Sequence, residues 1–150
     1  MRAFPMILIA VLVYNALVFG ARALGHDATA LLAQSFPLTV LSGDVWKISL
    51  GDGLLALSLA LLFIETLKAA RTSHRAFLNH ALALLTFAGA LTEFILLKGF
   101  GSSIFFLIVL MCLFDVVAGF SISVVAGKRD RAMAAAEQDQ QGESPLDERA

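Results

Sequence analysis

Four apolar runs, residues 4–24, 54–68, 77–97 and 104–126, fill most of the chain, and only a few charges interrupt them. A bilayer core about 30 Å thick takes ~20 apolar helical residues to cross. Three of the runs reach that length alone, and the second reaches it with its flanks. In hydrocarbon every backbone N–H and C=O must find its partner within the chain, so runs of this kind fold as helices. The expected fold is therefore an all-α membrane protein, an up-down bundle of four transmembrane helices spanning about residues 4–24, 53–70, 77–98 and 103–126. Short connections between the later runs make their helices antiparallel neighbours.

Composition narrows the class further. The chain is 59% hydrophobic and 15% charged over 150 residues, well above the ~45–50% apolar content of soluble domains. Residues 1–127 suffice for one small bundle, and residues 128–150 form a polar tail, expected on the cytoplasmic side and largely disordered. Acidic and basic residues nearly balance at a net charge of −1, so the basic surface of a nucleic-acid binder is missing. The single cysteine, Cys112, lies inside the fourth run, which excludes an intramolecular disulfide and a multi-thiolate metal site. A zinc-protease H-E-x-x-H, a phosphate-binding loop and a nucleophile elbow are absent from the sequence. No catalytic, cofactor-binding or metal-binding residue is expected, and the chain reads as a non-enzyme.

The N-terminal run admits two readings. Arg2, an apolar stretch and Ala21-Arg22-Ala23 follow the outline of a cleavable signal. Its apolar stretch exceeds the usual signal length, and Tyr14 and Asn15 sit mid-run. A retained first helix packed in the bundle is expected. Orientation follows from Lys and Arg, which collect on the cytoplasmic side. Arg2, Lys68, Arg71, Arg75, Lys128, Arg129 and Arg131 fall on one side, against Arg22, Lys47 and Lys98 on the other. Both termini are thereby expected in the cytoplasm.

The one long connection, residues 25–52, faces outward in that topology. Asp27 is positioned to N-cap a short turn over residues 28–34. The Phe36-Pro37 pair ends it, because proline disfavours the helical conformation in the residue before it. Residues 38–41 and 45–50 flank Ser42-Gly43-Asp44 as two β-rich runs about a turn, which reads as a short β-hairpin. Trp46, Ile48 and Leu50 share one face and Val45, Lys47 and Ser49 the other. The Trp46 face is expected against the helices or the lipid headgroups, since an isolated hairpin is marginal in water. Asp52 is expected to cap the second helix, starting it at Gly53.

Inside the spans, a few polar residues stand out. In the fourth run Asp115, Gly119, Ser123 and Gly127 recur every four residues on one face. Small residues at that spacing let helix backbones approach closely, so Gly119, Ser123 and Gly127 form a candidate packing face. Asp115 then points inward near mid-membrane, where an unpaired carboxylate costs several kcal/mol or more. Asn15 lies at similar depth, with Ser58 and Thr86 near the same level. In the third run Asn79, Ala83, Thr86, Ala90 and Glu93 form a narrow seam of small and polar residues. Asp115, Glu93, Asn15 and Thr86 are thus a candidate intramembrane polar site. One reading is a self-satisfied polar layer that sets helix register; the other is a proton or ion relay from Glu93 to Asp115 through Thr86 or water. Glu65 stands one turn before Lys68, an ion-pair spacing, with His80 at similar depth as a pH-responsive alternative partner.

The stretches Ser42-Gly43-Asp44-Val45-Trp46, Leu50-Gly51-Asp52 and Phe63-Ile64-Glu65-Thr66-Leu67-Lys68-Ala69-Ala70-Arg71 resemble small uncharacterised four-span inner-membrane proteins of proteobacteria. That resemblance implies a bacterial inner membrane and four spans, and brings no activity or site residue with it. Two functions follow as expectations. The first is an accessory or scaffold subunit, with the lipid bilayer and a membrane-protein partner or a second copy as its contacts. The second is a small proton- or cation-coupled transporter that uses Asp115 and Glu93.

Overall fold

A computed structural model describes residues 5–69 and 76–142, the side chains of residues 69, 76–80, 122, 123, 126, 129, 130 and 139–142 lying outside that description. The chain is mostly helical: α1 (Ile7–Ala23), α2 (Ala28–Leu32), β1 (Ser35–Thr39), β2 (Val45–Ser49), α3 (Leu50–Ala69), α4 (Ala76–Leu96) and α5 (Ser103–Gly142). Two windows, Leu50–Lys68 in α3 and Ser103–Ser121 in α5, are long and apolar enough to cross a membrane. α1 and the Ala81–Leu96 stretch are apolar but shorter. Only 28% of each long window is buried inside the chain. Leu57, Leu59, Phe63, Phe106, Phe114 and Val117 point outward instead.

α5 packs between α3 and α4, and α1 lies across α3 and α5 and touches α4. α3 and α4 are sequential, yet each packs chiefly on α5 rather than on the other, unlike the neighbouring pair expected of consecutive spans. α3 and α5 run in the same direction. Their first turns meet where Gly51 faces Ile104, so closely that a β-carbon at Gly51 would overlap that side chain. α1 runs the opposite way, its first residues meeting the end of α3 through the Met6 N–H, which donates to Glu65 (2.9 Å). The bundle thus has a hairpin end, holding the hairpin and the α4–α5 turn, and a far end, holding Met6 and Glu65.

Local chemistry sets the boundaries. α1 closes in a Schellman motif: left-handed Gly25 (φ 72°) lets its N–H reach the Arg22 carbonyl (3.1 Å) and the His26 N–H reach that of Ala21 (2.8 Å). The Asp27 carboxylate accepts from the Thr29 N–H (3.0 Å) and hydroxyl (2.6 Å), capping α2 as its position in the sequence implies. α3 starts at Leu50, three residues before the expected Gly53, because the cap is Ser49 and not Asp52. The Ser49 hydroxyl accepts from the Asp52 N–H (3.0 Å), and the Asp52 carboxylate reaches back to the Ser49 N–H (2.9 Å). This is a capping box with Asp in the usual Glu position.

The hairpin is present, with an earlier first strand than expected. Ser35 pairs with Ser49, Pro37 with Lys47 and Thr39 with Val45, so β1 includes the Phe36-Pro37 step. Val40 donates to the Asp44 carbonyl (2.9 Å) and Leu50 to that of Gln34 (3.0 Å). Even-numbered residues therefore point their amides at the partner strand, and the Pro37 nitrogen lies on the free outer edge, where no donor is needed. The loop Leu41-Ser42-Gly43 turns with left-handed Gly43 (φ 90°), the position that a three-residue hairpin loop reserves for glycine. At the other end of the chain, α5 runs on to Gly142, so the described part of the tail expected to be largely disordered is helix. Residues 143–150 lie outside the described residues.

Candidate functional site

The structure divides the expected polar site in two. At the hairpin end, Asn15 on α1 donates its amide to the Glu93 carboxylate on α4 (2.9 Å) and to the Val11 carbonyl (3.0 Å). Asn15 is thus the partner of Glu93, not of Asp115 as equal depth suggested. Ala83, Thr86 and Ala90 on the same seam are buried, so the 4-3 spacing does turn that face of α4 into the bundle. The Thr86 hydroxyl donates to the Leu82 carbonyl of its own helix (2.9 Å), and the Ser58 hydroxyl likewise to Leu54 (2.7 Å). Neither bridges two helices.

Beside Asn15 stands a second polar knot, built on Tyr14. The Tyr14 ring is fully buried against Phe100 and Phe105, centroids 5.6 and 4.5 Å away. Its hydroxyl donates to the Gly99 carbonyl (3.2 Å) and lies 2.7 Å from the Ser102 hydroxyl. A phenol has one hydrogen, so with that hydrogen on a carbonyl the Ser102 O–H must donate to the Tyr14 oxygen. The Ser102 oxygen in turn accepts from the Phe105 N–H (3.1 Å) as the N-cap of α5. Arg22 donates to the Lys98 carbonyl and passes over the Phe19 ring. α1 thereby clamps the α4–α5 turn, which needs left-handed Gly99 (φ 84°). Ser102 directly before an apolar run, together with the sole tyrosine inside another, was the available signal.

At the far end, one Glu65 carboxylate oxygen accepts from both the Met6 N–H (2.9 Å) and the Lys68 ammonium (3.3 Å). The ion pair expected one turn apart is formed, with Glu65 buried rather than at an open interface. The alternative contact with His80 falls outside the described side chains. Asp115 is 93% buried, within electrostatic reach of Glu65 and Lys68, and has no hydrogen bond among the described residues. Cys112, one turn earlier on α5, is fully buried. Of the expected packing face, Gly119 is half-buried and Gly127 is exposed with open space around it. Among the described residues no three His, Cys, Asp or Glu side chains converge to hold a metal ion.

A cleft of about 470 Å³ lies between α1 and α2, lined by Leu17, Gly20, Leu24, Leu31 and, at its rim, His26 and Asp27. It touches neither carboxylate site. No family model, curated protein or solved structure matches this chain.

Proposed function

We propose that the chain is a four-span protein of a bacterial inner membrane, both termini cytoplasmic, that serves as a non-enzymatic accessory or scaffold subunit packed against a membrane partner. In this topology the hairpin end faces outward and the far end inward. α3 and α5 supply two spans by length. α1, with ~17 residues and roughly 26 Å of rise, and α4 complete the set if the bilayer thins or flanking side chains reach to the interface. The observation that carries the functional reading is how the polar groups are used. Glu93 is bound by Asn15, and Thr86 and Ser58 are bound within their own helices. Apart from Asp115, what remains unengaged is surface: outward-facing apolar helices and a long α5 that passes from half-buried Gly119 to exposed Gly127. A helix with small residues on one face is suited to close approach by another helix. In mild detergent, Gly119→Leu is expected to abolish co-purification of the partner while leaving the protein folded; unchanged association argues against this function.

A second reading, a proton- or cation-coupled transporter, is favoured by one specific observation: Asp115 is buried without a hydrogen bond among the described residues. Asp115→Asn is then expected to abolish pH-dependent flux in proteoliposomes, and retained flux removes this reading.

A further inference from the structure

The hairpin is two-faced. Even-numbered residues place Phe36, Leu38, Trp46 and Ile48 on one side, while Ser35, Pro37, Thr39, Val45, Lys47 and Ser49 lie on the other, a mixed face with one exposed valine. Among the described residues nothing covers the apolar side: Phe36, Leu38 and Trp46 are 69%, 51% and 56% exposed, and Ile48 is half-buried. Two strands alone do not form a stable sheet in water, and three large apolar side chains on one face add a further cost of exposure. Such a face calls for a cover from beyond the described residues.

The connection to α3 indicates what it is. β2 ends at Ser49 and α3 begins at Leu50 with no linker, and the Ser49–Asp52 capping box locks the junction. The same Leu50 amide is tied to Gln34 at the base of β1. The hairpin is therefore fixed to the first turn of a helix long and apolar enough to cross a membrane. Trp46 is four residues from that turn, ~13 Å along an extended strand. A strand lying along the membrane surface keeps it in the headgroup layer, the zone that tryptophan favours because its ring is apolar and its N–H polar. We propose that the β1–β2 hairpin is an interfacial anchor, its Phe36–Leu38–Trp46 face seated in the lipid headgroup layer and its Lys47 face in water. The anchor rests on the membrane reading above, and the lipid, not a protein partner, is its occupant.

Trp46 is the only tryptophan in the chain, so its emission reports this face alone. The full-length protein is reconstituted into phosphatidylcholine–phosphatidylglycerol vesicles containing lipids brominated either near the headgroup or near the chain terminus. The expected result is blue-shifted emission, a larger loss of intensity with the shallow bromines than with the deep ones, and weak quenching by aqueous iodide. Phe36→Asp with Leu38→Asp is expected to shift the emission to the red and reverse the two sensitivities. Strong iodide quenching in the native protein overturns the anchor, because the face then lies in water. Shielding from both bromine and iodide overturns it as well, because a second copy or another protein then covers the face. Carbonate-resistant flotation of the same vesicles reports insertion separately. Protein that floats yet fails the quenching test loses only the anchor, whereas protein that does not float loses the membrane reading and the anchor together.

Discussion

The two ends of the bundle solve the problem of buried polarity in opposite ways. At the hairpin end the polar side chains at the junction of α1, α4 and α5 are paired. Tyr14, Ser102, Gly99 and the Phe105 amide form one closed chain, and Asn15 and Glu93 form another beside it. At the far end Glu65 takes two donors on one oxygen, and Asp115 is buried with no hydrogen bond among the described residues. In a low-dielectric setting a satisfied network rigidifies and an unsatisfied group is costly. The hairpin end is thus built for fixed geometry, and the far end is where a change of partner or protonation has most to gain.

The largest expected effect tests that fixed geometry. Tyr14→Ala removes the ring that fills the α1–turn–α5 junction together with both hydroxyl contacts. It is expected to lower stability in detergent by about 2–4 kcal/mol, mostly through lost packing. Tyr14→Phe keeps the ring and is expected to cost about 1 kcal/mol; equal losses for the two variants would show that the hydroxyl, not the ring, holds the turn. Next, Gly51→Val forces Ile104 out of its place against α3, with an expected loss of about 1–3 kcal/mol in the same unfolding assay. A smaller contrast bears directly on the comparison. A double-mutant cycle on Asn15→Leu and Glu93→Leu is expected to give a coupling of roughly 0.5–2 kcal/mol, whereas Asp115→Asn is expected to leave stability unchanged or raise it. Destabilisation by Asp115→Asn would place a bound partner on that carboxylate and erase the difference between the ends.

The smallest effect is local and set by pH. The Thr29 hydroxyl, and then its amide, hold the Asp27 carboxyl below its usual range. A carboxyl whose folded-state value is depressed stabilises above its unfolded value, and that contribution is lost as pH falls through the folded one. Hydrogen exchange at the Thr29 amide is therefore expected to accelerate only under acidic conditions below the ordinary aspartate range. Protection that is flat across that range would mean that α2 does not depend on its cap.

Much of this was legible beforehand where one residue type decides the outcome. Apolar runs marked the helices, Gly43 marked the hairpin loop, and Asp27 marked its cap. The misses share a cause: each depended on a partner distant in sequence or on an edge that the sequence does not reveal. Pro37 reads as the end of the preceding helical turn, outside the strand, until its nitrogen is known to face a free edge. Asp52 reads as a cap until Ser49, three residues earlier, is seen to take that role. Asn15 was matched to Asp115 by depth, but depth along two helices says nothing of their azimuth. The helix that faces Asn15 is α4, which brings Glu93 to it.

The length of α5 has a mechanical consequence. Forty residues of continuous helix make a rod of roughly 60 Å, and its apolar window ends at Ser121, about halfway along. A free peptide with the composition of the outer half would barely nucleate, because the first helical turn is the unfavourable step. Here that step is already accomplished inside the bundle, so the polar half only has to propagate, aided by the helix-favouring alanines at 132 and 134–136. The apolar half thereby acts as a template for a stiff mast, and anything bound near Gln138 would be held some 25 Å beyond Ser121, at a standoff set by helical rise.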